Sequence, residues 1–172
     1  MNGSVLLIPL FLIRYGLLAL INKAALPKAA YFPPMQQYEK VMFCIYQAST
    51  VLICIYMFFL SATITDAMSE IGLCIYITGV ILFASATVSF AKPGAGGLNQ
   101  GGLYRLSRNP MYVAYFIYFV GCALMTHSIL LLILVCAFQI AAHWIILAEE
   151  RWCIQTFGDE YIMYMKKARR YI

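Results

Sequence analysis

The stretch that decides the fold is 111–148, MYVAYFIYFVGCALMTHSILLLILVCAFQIAAHWIILA, which holds no Asp, Glu, Lys or Arg. As one α-helix it would run about 57 Å at 1.5 Å per residue, against a hydrocarbon core about 30 Å thick. It must therefore fold back on itself, and its polar interruption, Thr126-His127, is where the turn belongs. The expectation is a tight hairpin of two short helices, 111–125 and 128–148.

Three further segments upstream are apolar enough to span a bilayer: 5–21, 41–60 and 71–91. Across all 172 residues 63% are apolar and 11% charged, whereas soluble domains run near 45–50% and ~25%. A chain this short exposes too much surface to hide that excess in a core. These figures exclude a soluble enzyme and predict an all-α integral membrane protein of about five transmembrane helices. An added soluble catalytic domain is not expected, so the chemistry belongs inside the bilayer or at its surface.

The basic residues fix a topology for five spans. Lys23, Lys28 and Lys40 lie between the first and second, Lys92, Arg105 and Arg108 between the third and fourth, and Arg151, Lys166, Lys167, Arg169 and Arg170 after the fifth. The remaining connections hold no Lys or Arg. Alternation puts every basic loop on one side, as the positive-inside rule requires, with the N-terminus outside and the C-terminus cytoplasmic. The first span lacks the basic start of a signal peptide and is interrupted by Arg14. That arginine reads first as facing other helices or snorkelling, with a functional role as the alternative. The six cysteines form no CxxC pair and read as small packing residues, so no metal or disulfide is expected.

Chemistry begins at the glycine-rich loop 92–110. Gly94-Ala95-Gly96 is no dinucleotide fingerprint, because the third glycine is misplaced and no strand precedes it. The loop ends in Arg108-Asn109-Pro110-Met111-Tyr112. Pro110 fits the first turn of a helix and Asn109 the N-cap. Arg108 then stands beside a positive helix end, either gripping a carboxylate or phosphate or serving only as a topology signal. Further on, Gln139, His143 and Glu150 share one helix face, with Glu149 adjacent and Trp144 and Trp152 flanking. Residue chemistry leaves two readings open: interhelical hydrogen bonding, or a polar site facing a cavity. In the tail, Tyr161, Met165, Ala168 and Ile172 share a helical face, which predicts an interfacial helix whose basic residues meet anionic membrane lipid. That basic run is short and juxtamembrane, so nucleic acid is not an expected partner.

Taken in order, these pieces resemble the isoprenylcysteine carboxyl methyltransferase family and its relatives, the phospholipid N-methyltransferases. The family's Gly-x-Tyr matches Gly102 and Tyr104, and its Arg-His-Pro-x-Tyr matches Arg108-Asn109-Pro110-Met111-Tyr112 with Asn109 in place of the His. A helical hairpin follows, then Glu149-Glu150, then Phe157-Gly158 with Tyr161 and Tyr164 for Phe-Gly-x-x-Tyr-x-x-Tyr. Ala114 stands where a Gly often follows the motif's Tyr. The match covers about the last seventy residues; the first three spans agree only in hydropathy.

Hydropathy gives three N-terminal transmembrane helices over 1–91, and the resemblance implies a methyltransferase-like region over 92–172. It implies methyl transfer from S-adenosylmethionine to a lipophilic or membrane-borne acceptor at the cytoplasmic face: a prenylcysteine-type carboxylate, a lipid amine or a small thiol. Arg108 and Glu150 become the expected catalytic pair, with Arg108 holding the cofactor carboxylate or an anionic acceptor. Glu149 and Glu150 would bind its ammonium or ribose. Tyr104, Asn109, Tyr112, His143 and Tyr161 complete the expected cofactor-binding set, with stacking and cation–π contact from the tyrosines and Trp144. No metal is called for, because a sulfonium is already activated. An amine acceptor would need a base, from Glu150 or His143. Two other classes stand beside this one: an NADPH-dependent membrane sterol or steroid reductase, whose C-terminal arrangement is related, and a non-enzymatic membrane scaffold.

Overall fold

The computed structural model describes residues 1–94 and 96–172, so the Gly94-Ala95-Gly96 reading falls partly outside the described residues. Four helices are long and apolar enough to cross a membrane: α1 (Gly3–Asn22), α2 (Gln37–Met57), α3 (Ala67–Phe90) and α5 (Ile129–Phe157). Between the last two lies the shorter apolar helix α4 (Pro110–Met125), and α6 (Asp159–Lys167) follows α5. Among the described residues there is no strand beyond two isolated bridges. The chain is an all-α integral membrane protein.

Local chemistry starts and stops these helices. Asp66 and Ser69 form a reciprocal capping box at the start of α3, with Ser69 N donating to Asp66 Oδ1 at 3.0 Å,. The Ser128 hydroxyl accepts from Leu131 N at 3.1 Å and opens α5,. The hairpin turn falls at Thr126-His127, as hydropathy requires. His127 takes φ +49° there, a left-handed conformation that histidine enters more readily than branched residues. The helix that carries the last span does not stop with the apolar run at 148. α5 runs on to Phe157, because the segment past the glutamates leaves the apolar layer without losing its helical periodicity, and Gly158 at φ +54° then breaks it,.

Packing makes the bundle one body. α3 and α4 approach so closely that a Cβ on Gly79 would stand 2.5 Å from the Tyr118 backbone, and one on Gly121 2.4 Å from Tyr76 N. Close backbone approach through small residues is how apolar helices gain dispersion contacts where lipid competes equally for their side chains. Phe83, Tyr118, Ile53, Met57, Val135 and Phe138 fill the interior. Leu20, Val51, Ile81, Ile133 and Ile140 stay exposed around the outside, as a hydrocarbon solvent demands.

The two ends of the bundle differ. At one, Met1 N reaches Ala62 O at 2.8 Å, Gly3 N reaches Leu60 O at 2.8 Å and Thr63 N reaches Met125 O at 3.1 Å. The N-terminus, the α2–α3 connection and the hairpin turn therefore meet there. The opposite end gathers the α1–α2 connection, the loop after α3 and the tail, which together carry most of the basic residues.

The tail departs from expectation. α6 stops at Lys167, and Ala168 is extended rather than helical, so Ala168 and Ile172 do not continue the face of Tyr161. Residues 168–170 instead run beside Ser107 as a short parallel bridge, with Arg108 N donating to Arg169 O at 2.7 Å. The backbone groups freed by the end of α6 find partners in the loop before α4.

Candidate active site

A cavity of about 720 Å³ opens at the basic end, within the range of small-molecule sites,. Its wall is largely aromatic: Tyr31, Phe32, Tyr46, Phe90, Tyr104, Tyr112, Tyr115, Trp152, Phe157, Tyr161 and Tyr164. Polar groups are few: Arg14, Asn22, Lys28, Asn99, Arg108, Asn109 and Glu149. Residues from both the 1–91 and the 92–172 regions contribute. Of the expected site residues, Tyr104, Arg108, Asn109, Tyr112, Glu149 and Tyr161 come together on this wall. His143, Glu150 and Trp144 do not line it.

Glu149 and Glu150 are neighbours in α5, where successive side chains point about 100° apart. Glu149 turns to the cavity and accepts a hydrogen bond from the Tyr112 hydroxyl at 2.8 Å on Oε1. Its other oxygen has no hydrogen-bond partner among the described residues. Glu150 turns away and is 4% exposed. Its Oε1 takes Arg108 Nε at 2.9 Å and Nη2 at 2.8 Å, and its Oε2 takes Arg170 Nε at 3.0 Å and Nη2 at 2.8 Å. Each carboxylate oxygen is thus taken by one guanidinium, and these charge-assisted contacts are stronger than neutral hydrogen bonds.

Arg108 is also engaged at its far side, where Nη1 donates to Ala168 O at 2.7 Å and to Met165 O at 3.3 Å. The Arg108–Glu150–Arg170 cluster therefore fastens the tail to α5. Asn109 joins that fastening. It holds the expected N-cap position of α4, though its side chain makes no cap hydrogen bond there; Nδ2 donates to Arg170 O at 3.2 Å. The Arg170 carbonyl sits where that amide reaches it, and Pro110 at the first position has already removed one orphan N–H from the helix end.

The held tail positions an aromatic wall. Tyr164 Oη donates to Tyr104 O at 2.6 Å, and the Tyr161 and Tyr164 rings meet edge to face at 5.8 Å. Burial holds the Tyr104, Tyr161 and Tyr164 phenols above their usual range, so all three stay neutral hydroxyls,. His143 pairs with the tail through Nδ1 and the Tyr171 hydroxyl, 2.6 Å apart. Trp144 is exposed; Trp152, two turns on and in contact with Tyr31 at 5.6 Å between ring centroids, is the tryptophan that lines the site.

Two groups come into the site without a motif to announce them. Arg14 projects from a π-helical segment of α1, Leu12–Leu17, and donates from Nη2 to Ala29 O at 2.5 Å. A π-turn inside a helix commonly marks a functional position. The one signal for it in the sequence is a lone arginine in an apolar span. Asn99 carries a buried Oδ1 with no hydrogen-bond partner among the described residues, a state that leaves an acceptor ready for a ligand donor. Nothing in the residue order separates Asn99 from an ordinary loop asparagine.

The donor set suits an organic cation with polar appendages and not a metal. Among the described residues no group of three His, Cys, Asp or Glu stands close enough to hold a metal ion. A half-buried carboxylate inside an aromatic wall attracts a sulfonium or ammonium through charge and cation–π contact.

Comparison with protein-family models matches residues 45–160 to one described as phospholipid methyltransferase. Comparison with curated proteins finds no match. The matched segment covers the larger part of the chain, from the middle of α2 through the hairpin to the start of α6. It includes Arg108, Tyr112 and the glutamate pair, and leaves α1 outside. With a helical bundle made for a bilayer and this cavity at its basic end, the chain belongs to the phospholipid methyltransferase family of integral-membrane methyltransferases.

Proposed function

We propose that the chain transfers a methyl group from S-adenosylmethionine to a lipophilic or membrane-borne acceptor, at the cytoplasmic face of its membrane. The observation that carries this reading is Glu149. It is a carboxylate with one oxygen free, set in an aromatic cavity at the membrane-surface end of the bundle. Asn99 Oδ1 offers a second unsatisfied acceptor on the same wall. Both suit a cofactor that brings an ammonium, ribose hydroxyls and an amino-purine as donors.

When bound, the cofactor supplies a methyl group already activated on a cationic sulfur. The protein's part is alignment and exclusion of water, which together account for a large share of the rate in such displacements. Glu149 would hold the cationic end, with Tyr112 fixing its orientation. Tyr104, Tyr161 and Trp152 would face the rings. Glu150 and Arg108, whose partners are one another and the tail, act as positioning residues that keep the Tyr161–Tyr164 wall in place. Asn109 serves the same fastening, and His143 meets the tail at Tyr171. Acceptor candidates remain a prenylcysteine-type carboxylate, a lipid amine and a small thiol. A carboxylate or thiolate reacts without proton removal, whereas an ammonium must first lose a proton.

The test is methyl transfer from methyl-labelled S-adenosylmethionine by the purified protein, offered N-acetyl-S-farnesylcysteine, phosphatidylethanolamine and dodecanethiol in turn. Labelled product from at least one acceptor is expected. No product from any of them, together with NADPH oxidation when a sterol is supplied, would replace this reading with a reductase.

A further inference from the structure

We propose that two copies of this chain associate side by side through α2, with their Gln47 carboxamides paired inside the hydrocarbon layer. This goes beyond the methyl-transfer reading and does not depend on it.

The argument begins with the depth of a polar group. Gln47 is the middle residue of α2, ten residues from Gln37 and ten from Met57, so about 15 Å of helix separates it from either end. It stands on the outside of the bundle and is exposed. Lys40, the charged residue of α2 closest to it in the chain, lies about 10 Å back along the axis, farther than a glutamine side chain reaches. The amide is therefore held in hydrocarbon, where a polar group without a partner is strongly disfavoured. Its own helix does not supply one. The hydroxyls of Ser49 and Thr50 donate back to Tyr46 O at 3.0 and 2.7 Å, whereas the Gln47 carboxamide bonds to none of the described residues.

Depth and chemistry restrict what can cover it. Water and headgroups stand too far off, and acyl chains offer neither donor nor acceptor. A carboxamide has both, an oxygen and an NH2, so it is complementary to itself, and two of them form a reciprocal pair of hydrogen bonds. Copies with the same orientation in a bilayer meet about a two-fold axis along the membrane normal. That symmetry brings like residues of α2 to the same depth, and each Gln47 meets its counterpart.

The surface around Gln47 permits the approach. Cys44, Ala48, Val51 and Ile55 are exposed on the same side of α2, and positions 44, 47, 51 and 55 keep to one helix face by steps of three and four. Residues 41–57 hold no charge. Cys44 and Ala48 are small enough for close backbone contact, and an amide beside them adds the hydrogen bond by which membrane helices associate. The other side of α2 is already spent inside the bundle, where Ile53 and Met57 are buried and Tyr46 stacks on Phe138.

Two measurements on the full-length chain test this. Sedimentation equilibrium in density-matched micelles should show a monomer–dimer equilibrium. Gln47→Leu, which suits hydrocarbon and should leave the Tm unchanged, is expected to weaken the dimer about fivefold or more, as for loss of an interhelical hydrogen bond. Gln47→Asn, a shorter amide, should keep part of the affinity. Oxidative cross-linking in phosphatidylcholine vesicles then locates the face. Cys44, one turn before Gln47, is a native reporter once Cys54, Cys74 and Cys136 are replaced by alanine. That protein should form a covalent dimer, and one that keeps Cys136 of α5 in place of Cys44 should not. A chain that stays monomeric would overturn the proposal. So would a dimer that Gln47→Leu leaves equally strong, or one that Cys136 traps as readily as Cys44.

Discussion

Two adjacent glutamates in one helix do different work here, and the difference follows from the pitch of α5. Glu149 meets the cavity, while Glu150 is shut between Arg108 and Arg170 at distances of 2.8–3.0 Å. Removing the charge from a buried, doubly paired carboxylate leaves two arginines uncompensated, which commonly costs a few kcal/mol. Arg170 is partly exposed, so water takes up some of that loss. Glu150→Gln should therefore lower stability by about 2–3 kcal/mol, below the figure for a fully buried pair. The change is read as a fall in Tm in detergent, with faster amide exchange over 168–170. An unchanged Tm and unchanged exchange would remove Glu150 from its positioning role. The sequence reading makes Glu150 the catalytic member of the pair, whereas it is Glu149 that lines the cavity. Which of two neighbours faces a cavity depends on the rotation of α5 about its axis, and that is set by packing against α2 and α4.

At the scale of elements, the α3–α4 pair is the most tightly made part of the bundle. Gly79 and Gly121 touch the backbone of the opposing helix, and no side chain fits between. Gly121→Ala should force the helices apart and destabilise by about 1–3 kcal/mol, the usual range for overpacking. Gly16→Ala, at a site with nothing within 4 Å, should be close to neutral. Comparison of the two Tm values checks this. The hairpin was legible because hydropathy and chain length left one solution, and its turn sits at the two polar residues that interrupt the run. The tail was not. Its parallel bridge to Ser107 joins backbone groups some sixty residues apart, and such pairing writes no periodicity into either segment. The run of Tyr161, Met165, Ala168 and Ile172 gives a true helical pattern only as far as the first two. Asn109 takes the N-cap position expected of it, but its Nδ2 serves the Arg170 carbonyl of the tail, a partner the residue order does not announce.

For the whole molecule, the basic connections gather at one end of the bundle, and the cavity lies there. Positive charge near span ends is retained on the cytoplasmic side, so we expect the C-terminus and the cavity mouth to face the cytoplasm. A C-terminal tag in sealed, right-side-out membranes should be protected from external protease until the membranes are opened. Cleavage in sealed membranes would reverse the orientation. Composition alone already excluded a soluble enzyme. What it could not show is that α1, a helix with no motif, closes one side of the cavity and brings Arg14 to it through a π-turn.

The central claim, that this cavity takes S-adenosylmethionine through Glu149, is tested most directly by equilibrium binding of S-adenosylhomocysteine to the purified protein and to Glu149→Gln. Saturable binding that raises the Tm of the unaltered protein is expected, with the Kd rising about tenfold or more in the variant, as for loss of a hydrogen bond to a charged group. NADPH should leave the Tm unchanged. A Tm raised by NADPH and not by S-adenosylhomocysteine, or equal S-adenosylhomocysteine affinity in the two proteins, would contradict the claim.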